Sequence, residues 1–178
     1  MAKKAPVLPD LLVPDLDVVF CGTAPGHVSA AARAYYAHPH NKFWRILHET
    51  GLTPEKITQA DFQKLLDLRI GMTDIAKFEK GLDKDLKRES LGHAAVNALR
   101  ARIETNKPRV LAFTSMTGAA RFFGKRRPCG LQPETIGDTR IWVLPSTSGL
   151  ACGSWDDSHW HQLAAEIRQK TAKSKRSN

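Results

Sequence analysis

The strongest structural signal in the chain is the stretch VVFCGTAPG at residues 18–26. Its first part, Val18–Cys21, is continuously apolar and predicts a short strand that is buried on both faces. Two glycines and a proline follow at once, which predicts a rigid turn whose backbone N–H groups can closely approach a ligand. The turn is too short for a dinucleotide-binding fingerprint and lacks the lysine of a P-loop. An ordinary strand-to-helix turn is the alternative interpretation.

Similar apolar runs recur along the chain at Val110–Thr114 and Ile141–Leu144, with a weaker one at Ile70–Thr73. Helical periodicity separates the runs, with apolar faces formed by Phe43, Ile46 and Leu47, by Ala95, Leu99 and Ile103, and by Trp160, Leu163, Ala164 and Ile167. This alternation predicts an α/β fold, a three-layer α/β/α domain around a short, mostly parallel sheet. Ligands of such sheets bind beyond the carboxyl ends of the strands, here the segments 22–26, 73–77, 114–117 and 145–151.

The length of 178 residues suits one globular domain, and 42% hydrophobic with 25% charged residues is typical of a folded protein. We expect an extended lead-in over residues 1–16, which contain Pro6, Pro9 and Pro14, and a single domain over 17–169. The segment 170–178 carries several basic side chains and no acidic one, which predicts a disordered basic tail.

The net charge of +9 indicates an anionic partner, with nucleic acid first and an anionic membrane surface second. No apolar run is long enough to span a bilayer and no secretory signal precedes the first strand, so we expect a cytoplasmic protein that does not enter membranes. Cys21, Cys129 and Cys152 are too few for a four-thiolate zinc or iron–sulfur site and do not make a disulfide framework. The paired histidines at 38/40 and 159/161 lack a third ligand at suitable spacing, so we expect no metal and no other cofactor.

The segment YYAHPHNKFW at 35–44 combines aromatic rings with an amide directly before a helical pattern. The ring of Tyr36 could stack on a nucleobase, and the Asn41 amide could orient a water molecule or hold a base edge. A half-buried core tyrosine and an ordinary helix N-cap are the alternatives for these two residues.

A third segment, PSTSGLA at 145–151, follows the last predicted strand with small hydroxyl residues and an apolar tip. Its hydroxyls could bind a phosphate or an extruded base, and Leu150 could wedge into a base stack, although a plain serine-rich turn is the alternative. Asp74, at the end of the weaker strand, is either an acid of the pocket or a helix cap.

In this order the three segments resemble the uracil-DNA glycosylase superfamily, and most closely its mismatch-specific and hypoxanthine-type branches. There, a Gly-x-x-Pro-Gly loop precedes an Ala-His-Pro-x-Asn-x-Phe-Trp helix start, the pattern found here at 22–26 and 37–44. The resemblance extends over roughly residues 17–165, and the middle run is its most diagnostic part. It implies a three-layer α/β/α domain that flips out a damaged base and hydrolyses its N-glycosidic bond, leaving an abasic site.

The chain departs from its relatives at three positions. Ala24 stands where the best-known branch has an Asp and the mismatch branch an Asn, and Thr23 stands where the iron–sulfur branches have a Glu. With no acid in the first motif, the resemblance leaves Asn41 as the residue that positions the water. Ser146 replaces the His or Asn that supports the departing base, so its assistance should be weaker because a hydroxyl carries no charge.

The resulting hypothesis is a monomeric DNA glycosylase that acts on uracil first, then on hypoxanthine or xanthine, in single- or double-stranded DNA. Its candidate catalytic residues are Asn41 and Ser146. The expected substrate-binding residues are Gly22, Thr23, Ala24, Pro25, Gly26, Tyr36, Phe43 and Asp74. The expected DNA-binding residues are Ser148, Gly149 and Leu150. Because Ala24 has no acidic replacement, a DNA-binding relative without catalysis is the alternative; an unrelated α/β enzyme for anionic small molecules is a third.

Overall fold

The computed structural model describes residues 5–149 and 155–176. At its centre lies a five-stranded sheet in the order β2-β1-β3-β5-β4. The strands are β1 (Val18–Gly22), β2 (Ile70–Asp74), β3 (Val110–Phe113), β4 (Gly130–Ile136) and β5 (Thr139–Val143). Strands β2, β1, β3 and β5 are parallel, whereas β4 pairs with β5 in antiparallel orientation. The short, mostly parallel sheet predicted from the sequence is therefore confirmed.

Helices cover both faces of the sheet. They are α1 (His27–Ala32), α2 (Phe43–Glu49), α3 (His93–Asn106), α4 (Met116–Phe123) and α5 (Ser158–Arg176), with 3₁₀ segments at Gln59–Leu68 and Arg88–Leu91. One face packs against α2, α5 and the longer 3₁₀ segment, and the other packs against α3 and α4. The domain has the three layers, helix, sheet and helix, that the alternating pattern predicts.

Strand β1 supplies both cores because successive side chains of a strand point to opposite faces. Val18 and Phe20 join the core beneath α2 and α5, where the ring of Trp160 stacks on Phe20 at 5.5 Å. Val19 and Cys21 join the core beneath α3 and α4. Every residue of β1 is buried, so the strand is fixed at the centre of the sheet and its end is a rigid base for the following turn.

The sequence pattern does not reveal β4. Its residues GLQPETI are mostly exposed, and Pro133 interrupts the run. The strand lies at the sheet edge, and its pairing with β5 shifts register between Leu131 and Thr135, an irregularity that accommodates the proline. Tertiary pairing with β5 thus creates a strand that has no local hydrophobic signature.

Residues on both sides of the central sheet extend the fold. The lead-in is extended, but Leu8 and Leu11 are buried, and Leu11 pairs through its backbone with Met72 of β2. At the other end α5 continues to Arg176, into the segment 170–178 that the sequence predicts to be disordered. The lysines, alanine and glutamine near that end all favour helix, which explains the continuation.

The chain connections leave a crevice between β1 and β3. The chain leaves β1 toward β2 on one side, whereas it leaves β3 toward β4 and β5 on the other side. Ligands of open α/β sheets bind at such a point, where the strand order reverses. Within the described residues, no helix is long and apolar enough to cross a membrane.

Candidate active site

A cavity of about 970 Å³ opens at the carboxyl ends of β1, β2 and β3. All three segments singled out in the sequence contribute to its wall. Of the predicted site residues, those that line it are Gly22, Thr23, Ala24, Pro25, Gly26, Tyr36, Asn41, Asp74, Ser146, Ser148 and Gly149. This volume is typical of a small-molecule pocket and is large enough for one nucleotide.

The turn after β1 is held in place by backbone hydrogen bonds to the segment after β2. Ile75 N–H donates to the Gly22 carbonyl at 3.0 Å, and Ala76 N–H donates to the Thr23 carbonyl at 2.9 Å. Below the turn, Thr23 Oγ1 lies 3.0 Å from Oγ of Ser115, which caps α4. The first segment is therefore a rigid part of the wall, as its glycines and proline predict.

Asn41 lies two residues ahead of α2 and is held by the start of that helix. Its Oδ1 accepts the backbone N–H of Phe43, the first residue of α2, at 3.0 Å, which is the hydrogen bond of an Asx-turn, whereas the N-cap position itself is occupied by Lys42. It also lines the cavity. An amide oxygen has two lone pairs, and one remains available for a ligand or a water molecule.

Tyr36 lies at the cavity wall in a backbone conformation that is uncommon for an aromatic residue, with φ of 50°. Its ring stacks on Phe43 at a centroid distance of 3.9 Å and an interplanar angle of 14°. Its hydroxyl bonds Thr114 Oγ1 at 2.8 Å. Phe43 thus holds one face of the Tyr36 ring, and Thr114 holds its hydroxyl group.

Phe43 itself is fully buried and does not line the cavity. It therefore supports Tyr36 from the core and lies outside the surface that the sequence predicts to bind the base.

The third segment packs directly against the second. The backbone N–H of Lys42 donates to the Thr147 carbonyl at 2.9 Å, and Gly149 lies so close to His40 that an added Cβ would be 3.1 Å from the His40 Cβ. Within the segment, the Ser146 hydroxyl accepts the N–H of Ser148 at 3.2 Å. Leu150, the predicted wedge, lies outside the described residues.

Asp74 is the most unusual polar group of the cavity. The residue is 3% exposed, and its Oδ2 has no hydrogen-bond partner among the residues that the structure describes. Gly22 and Asp74 are register partners across β1 and β2, and Oδ1 lies directly over the glycine. Asp74 is therefore a pocket acid and not a helix cap, the two possibilities that the sequence allows.

Burial raises the pKa of Asp74 to about 7. Nearby Lys77 and Arg102 oppose the increase, and the charge of Asp10 adds to it. The carboxyl is consequently protonated over the acidic range and becomes charged near neutral pH.

We predict that replacing Asp74 with asparagine stabilises the protein at alkaline pH. Between pH 4 and 7 folded Asp74 holds a proton that the unfolded chain releases, so the wild-type unfolding free energy falls as the pH rises through this window. A shift of roughly three pKa units corresponds to a loss of up to about 4 kcal/mol, which the amide avoids. Urea unfolding at pH 5 and pH 8 should show the stability difference between variant and wild type growing with pH. Equal differences at the two pH values would contradict the prediction.

Several cavity residues were not predicted as site residues from the sequence. Thr114 and Ser115 lie at the end of β3, where the rule on strand ends does locate them. His38 and His40 line the cavity beside Asn41, although the sequence suggested only a metal role for them. The residues of the loop 81–84 also contribute, and Gly81 N–H donates to the Pro25 carbonyl at 3.0 Å. Long-range packing brings this loop to the site, and no local sequence pattern predicts that it lines the cavity.

Fold and site together define an α/β/α domain with a nucleotide-sized pocket at the reversal of its strand order. The sequence matches the profile of the Uracil DNA glycosylase superfamily over residues 9–167, and the chain belongs to this superfamily. A candidate uracil DNA glycosylase from Methanosarcina acetivorans, determined by NMR in solution, has a similar structure. The TM-score is 0.59 at 21% identity, with 93% of this chain and 97% of that chain covered. The superfamily resemblance drawn from the three motifs is confirmed, as is the fold.

Proposed function

We propose that the protein is a monofunctional DNA glycosylase that extrudes a deaminated base, uracil foremost, and hydrolyses its N-glycosidic bond. The observation that carries the proposal is the convergence of three sequence segments, with Tyr36, Asn41 and Ser146, on one cavity in a member of this superfamily. Hypoxanthine and xanthine are the next candidate bases.

The reaction needs a water molecule beneath the sugar and a stable anion above it. As the C1′–N bond breaks, its electron pair moves to the base and positive charge develops on the sugar. Asn41 would accept a hydrogen bond from the water through the free lone pair of Oδ1 and hold its oxygen toward C1′. An amide is not a base, so its contribution is orientation and not proton abstraction.

The departing base would lie on the free face of the Tyr36 ring, since Phe43 covers the other face. The Ser146 hydroxyl and the backbone N–H groups of the turn 22–26 are the donors available to its oxygens. The DNA backbone would be attracted by the net charge of +9, and the segment with Ser148 and Gly149 would contact the strand beside the extruded nucleotide.

Replacing Tyr36 with alanine should weaken binding of the extruded base by about 5- to 150-fold, because base–aromatic stacking contributes about 1–3 kcal/mol. Replacing it with phenylalanine keeps the ring against Phe43 and removes only the hydrogen bond to Thr114, so this matched variant should keep most of the affinity. The KM of both variants on a uracil-containing single strand measures the effect. Equal losses in the two would show that the hydroxyl, and not the ring, matters.

A panel of end-labelled oligonucleotides tests the proposal directly. Each carries uracil, hypoxanthine or xanthine, as a single strand or opposite each normal base, and is heated in alkali after incubation so that abasic sites become breaks. We expect cleavage of uracil-containing DNA and none of the undamaged control. If folded protein left every probe intact, the proposed activity would be wrong.

A DNA-binding relative without catalysis is the second candidate, favoured by Ala24, which replaces the acid of the first motif with a methyl group. It predicts selective binding of uracil-containing DNA in gel-shift titrations, without any abasic product. The same oligonucleotide panel therefore separates the two candidates.

A further inference from the structure

A network of charged groups lies behind Asp74, and its ion pairs and hydrogen bonds are made to Asp10 and not to the Asp74 carboxyl. Lys77 Nζ lies 2.7 Å from Asp10 Oδ1, and Arg102 Nε lies 3.4 Å from Asp10 Oδ2. The Thr73 hydroxyl also donates to Asp10, at 2.6 Å. The two cations that act on Asp74 are therefore paired with another carboxylate, one supplied by the lead-in.

The neighbouring hydroxyl groups of Tyr36 and Thr114 also have partners other than the Asp74 carboxyl. The Tyr36 hydroxyl and Thr114 Oγ1 share a hydrogen bond at 2.8 Å, and Thr114 Oγ1 also lies 3.2 Å from the Cys21 carbonyl oxygen. Arg102 donates to the backbone carbonyl of Asp74 at 2.9 Å and not to its side chain. In the part of the chain that the structure describes, no group donates a hydrogen bond to Asp74 Oδ2, and a buried charge without a donor is costly, which favours the protonated acid.

The carboxyl of Asp74 lies in the cavity beside the hydroxyl end of the Tyr36 ring. An added Cβ on Gly22 would collide with Asp74 Oδ1 and would lie 3.6 Å from the Tyr36 hydroxyl oxygen, so both groups meet above this glycine. Both residues also line the cavity. A protonated carboxyl offers one donor and one acceptor side by side.

We propose that Asp74 is a catalytic residue that works as a neutral acid and donates a hydrogen bond to a carbonyl oxygen of the departing base. The inference rests on the proposed glycosylase function and names the substrate class, bases with a carbonyl next to a ring N–H. As the C1′–N bond breaks, the electron pair goes to the base and the water oxygen bonds to C1′. The proton that this water releases neutralises the base anion, and Asp74 keeps its own proton.

The proposal requires activity to fall when Asp74 ionises, since a carboxylate would repel the base anion and offers no donor. The charged and titratable groups around it are Asp10 from the lead-in, Lys77 from the segment after β2, Arg102 from α3, Cys21 from β1 and the tyrosines at 35 and 36. With a pKa of about 7, the rate should drop about tenfold per pH unit above neutrality.

Single-turnover release of uracil from a single-stranded oligonucleotide, followed across the range from about pH 5.5 to 9, tests this. Asp74→Asn keeps a donor and an acceptor but cannot ionise, so it should retain a rate within about tenfold of wild type at low pH and lose the alkaline fall. Asp10→Asn frees Lys77 to act on Asp74 and should move the fall to lower pH by about one unit, while Asp138→Asn at the exposed β4–β5 turn should leave the profile unchanged.

An alkaline fall that persists in Asp74→Asn, or one that does not move in Asp10→Asn, would overturn the inference. Infrared difference spectra between wild type and Asp74→Asn provide a readout that does not depend on activity: at about pH 6, where ordinary carboxyls are ionised, wild type should show an extra protonated-carboxyl band that disappears above neutrality. Active wild-type protein without this band would overturn the role of Asp74 alone. Wild-type protein that released no base from any probe would instead overturn the proposed function.

Discussion

Replacement of Asn41 with alanine should lower the single-turnover rate of base release by about 10²- to 10⁴-fold and leave DNA affinity almost unchanged. The methyl group can neither hold a water molecule nor accept its hydrogen bond, and loss of such positioning in the transition state reduces the rate and not the binding. Parallel measurements of the rate on excess enzyme and of the dissociation constant by fluorescence anisotropy would check both parts.

The same substitution also removes the hydrogen bond that Asn41 Oδ1 accepts from Phe43 N–H at the start of α2, which by itself costs about 1 kcal/mol of stability. Asn41→Ser is the matched control, because a serine hydroxyl can accept the same backbone N–H but its shorter side chain does not reach as far into the cavity. It should be as inactive as the alanine variant while unfolding close to the wild-type temperature. Unchanged turnover in Asn41→Ala would remove the water-positioning role from this residue.

The second large effect concerns Gly22. A methyl group there would collide with Asp74 Oδ1, and the parallel pairing of β1 with β2 holds the two residues opposite each other. Gly22→Ala should therefore displace the carboxyl, cost about 1–3 kcal/mol of stability through overpacking and reduce base release by at least about tenfold. Thermal unfolding and the single-turnover assay together measure these losses.

Gly26, at the other end of the same turn, offers a steric control, because no atom lies within 4 Å of an added Cβ there. Gly26→Ala should lose less than about 1 kcal/mol of stability, as expected for a small change at a helix N-cap. If both alanine variants unfolded at the same temperature, contact with Asp74 would not be the reason for a glycine at position 22.

Much of this site could be predicted because it is made of strand ends. The apolar runs of β1, β3 and β5 are buried on both faces, so their pattern survives in the sequence, and the carboxyl-end rule then locates the functional turns. Tyr36 and Asn41 are recognisable since an aromatic ring and an amide immediately before a helix are informative residue types. The roles of these residues stay predictions until the variants are measured.

Other features follow from long-range pairing and leave no local pattern. Strand β4 exists because β5 lies beside it, and its proline-containing edge sequence resembles a loop. Phe43 belongs to the aromatic motif, but the direction of α2 places its ring in the core, where it packs behind Tyr36. The pairing of Asp10 with Lys77 and Arg102 joins residues from three separate parts of the chain.

The position of Asp10 bears on how the protein could be shortened. A proline-rich stretch without helices or strands, ahead of the first strand, is what an engineer would trim first and what evolution usually varies most freely. Here that stretch carries the Asp10 carboxylate, which forms ion pairs with Lys77 and Arg102 beside the pocket. Under the role inferred for Asp74, a chain that began after Asp10 could keep all its strands and still work best at a more acidic pH.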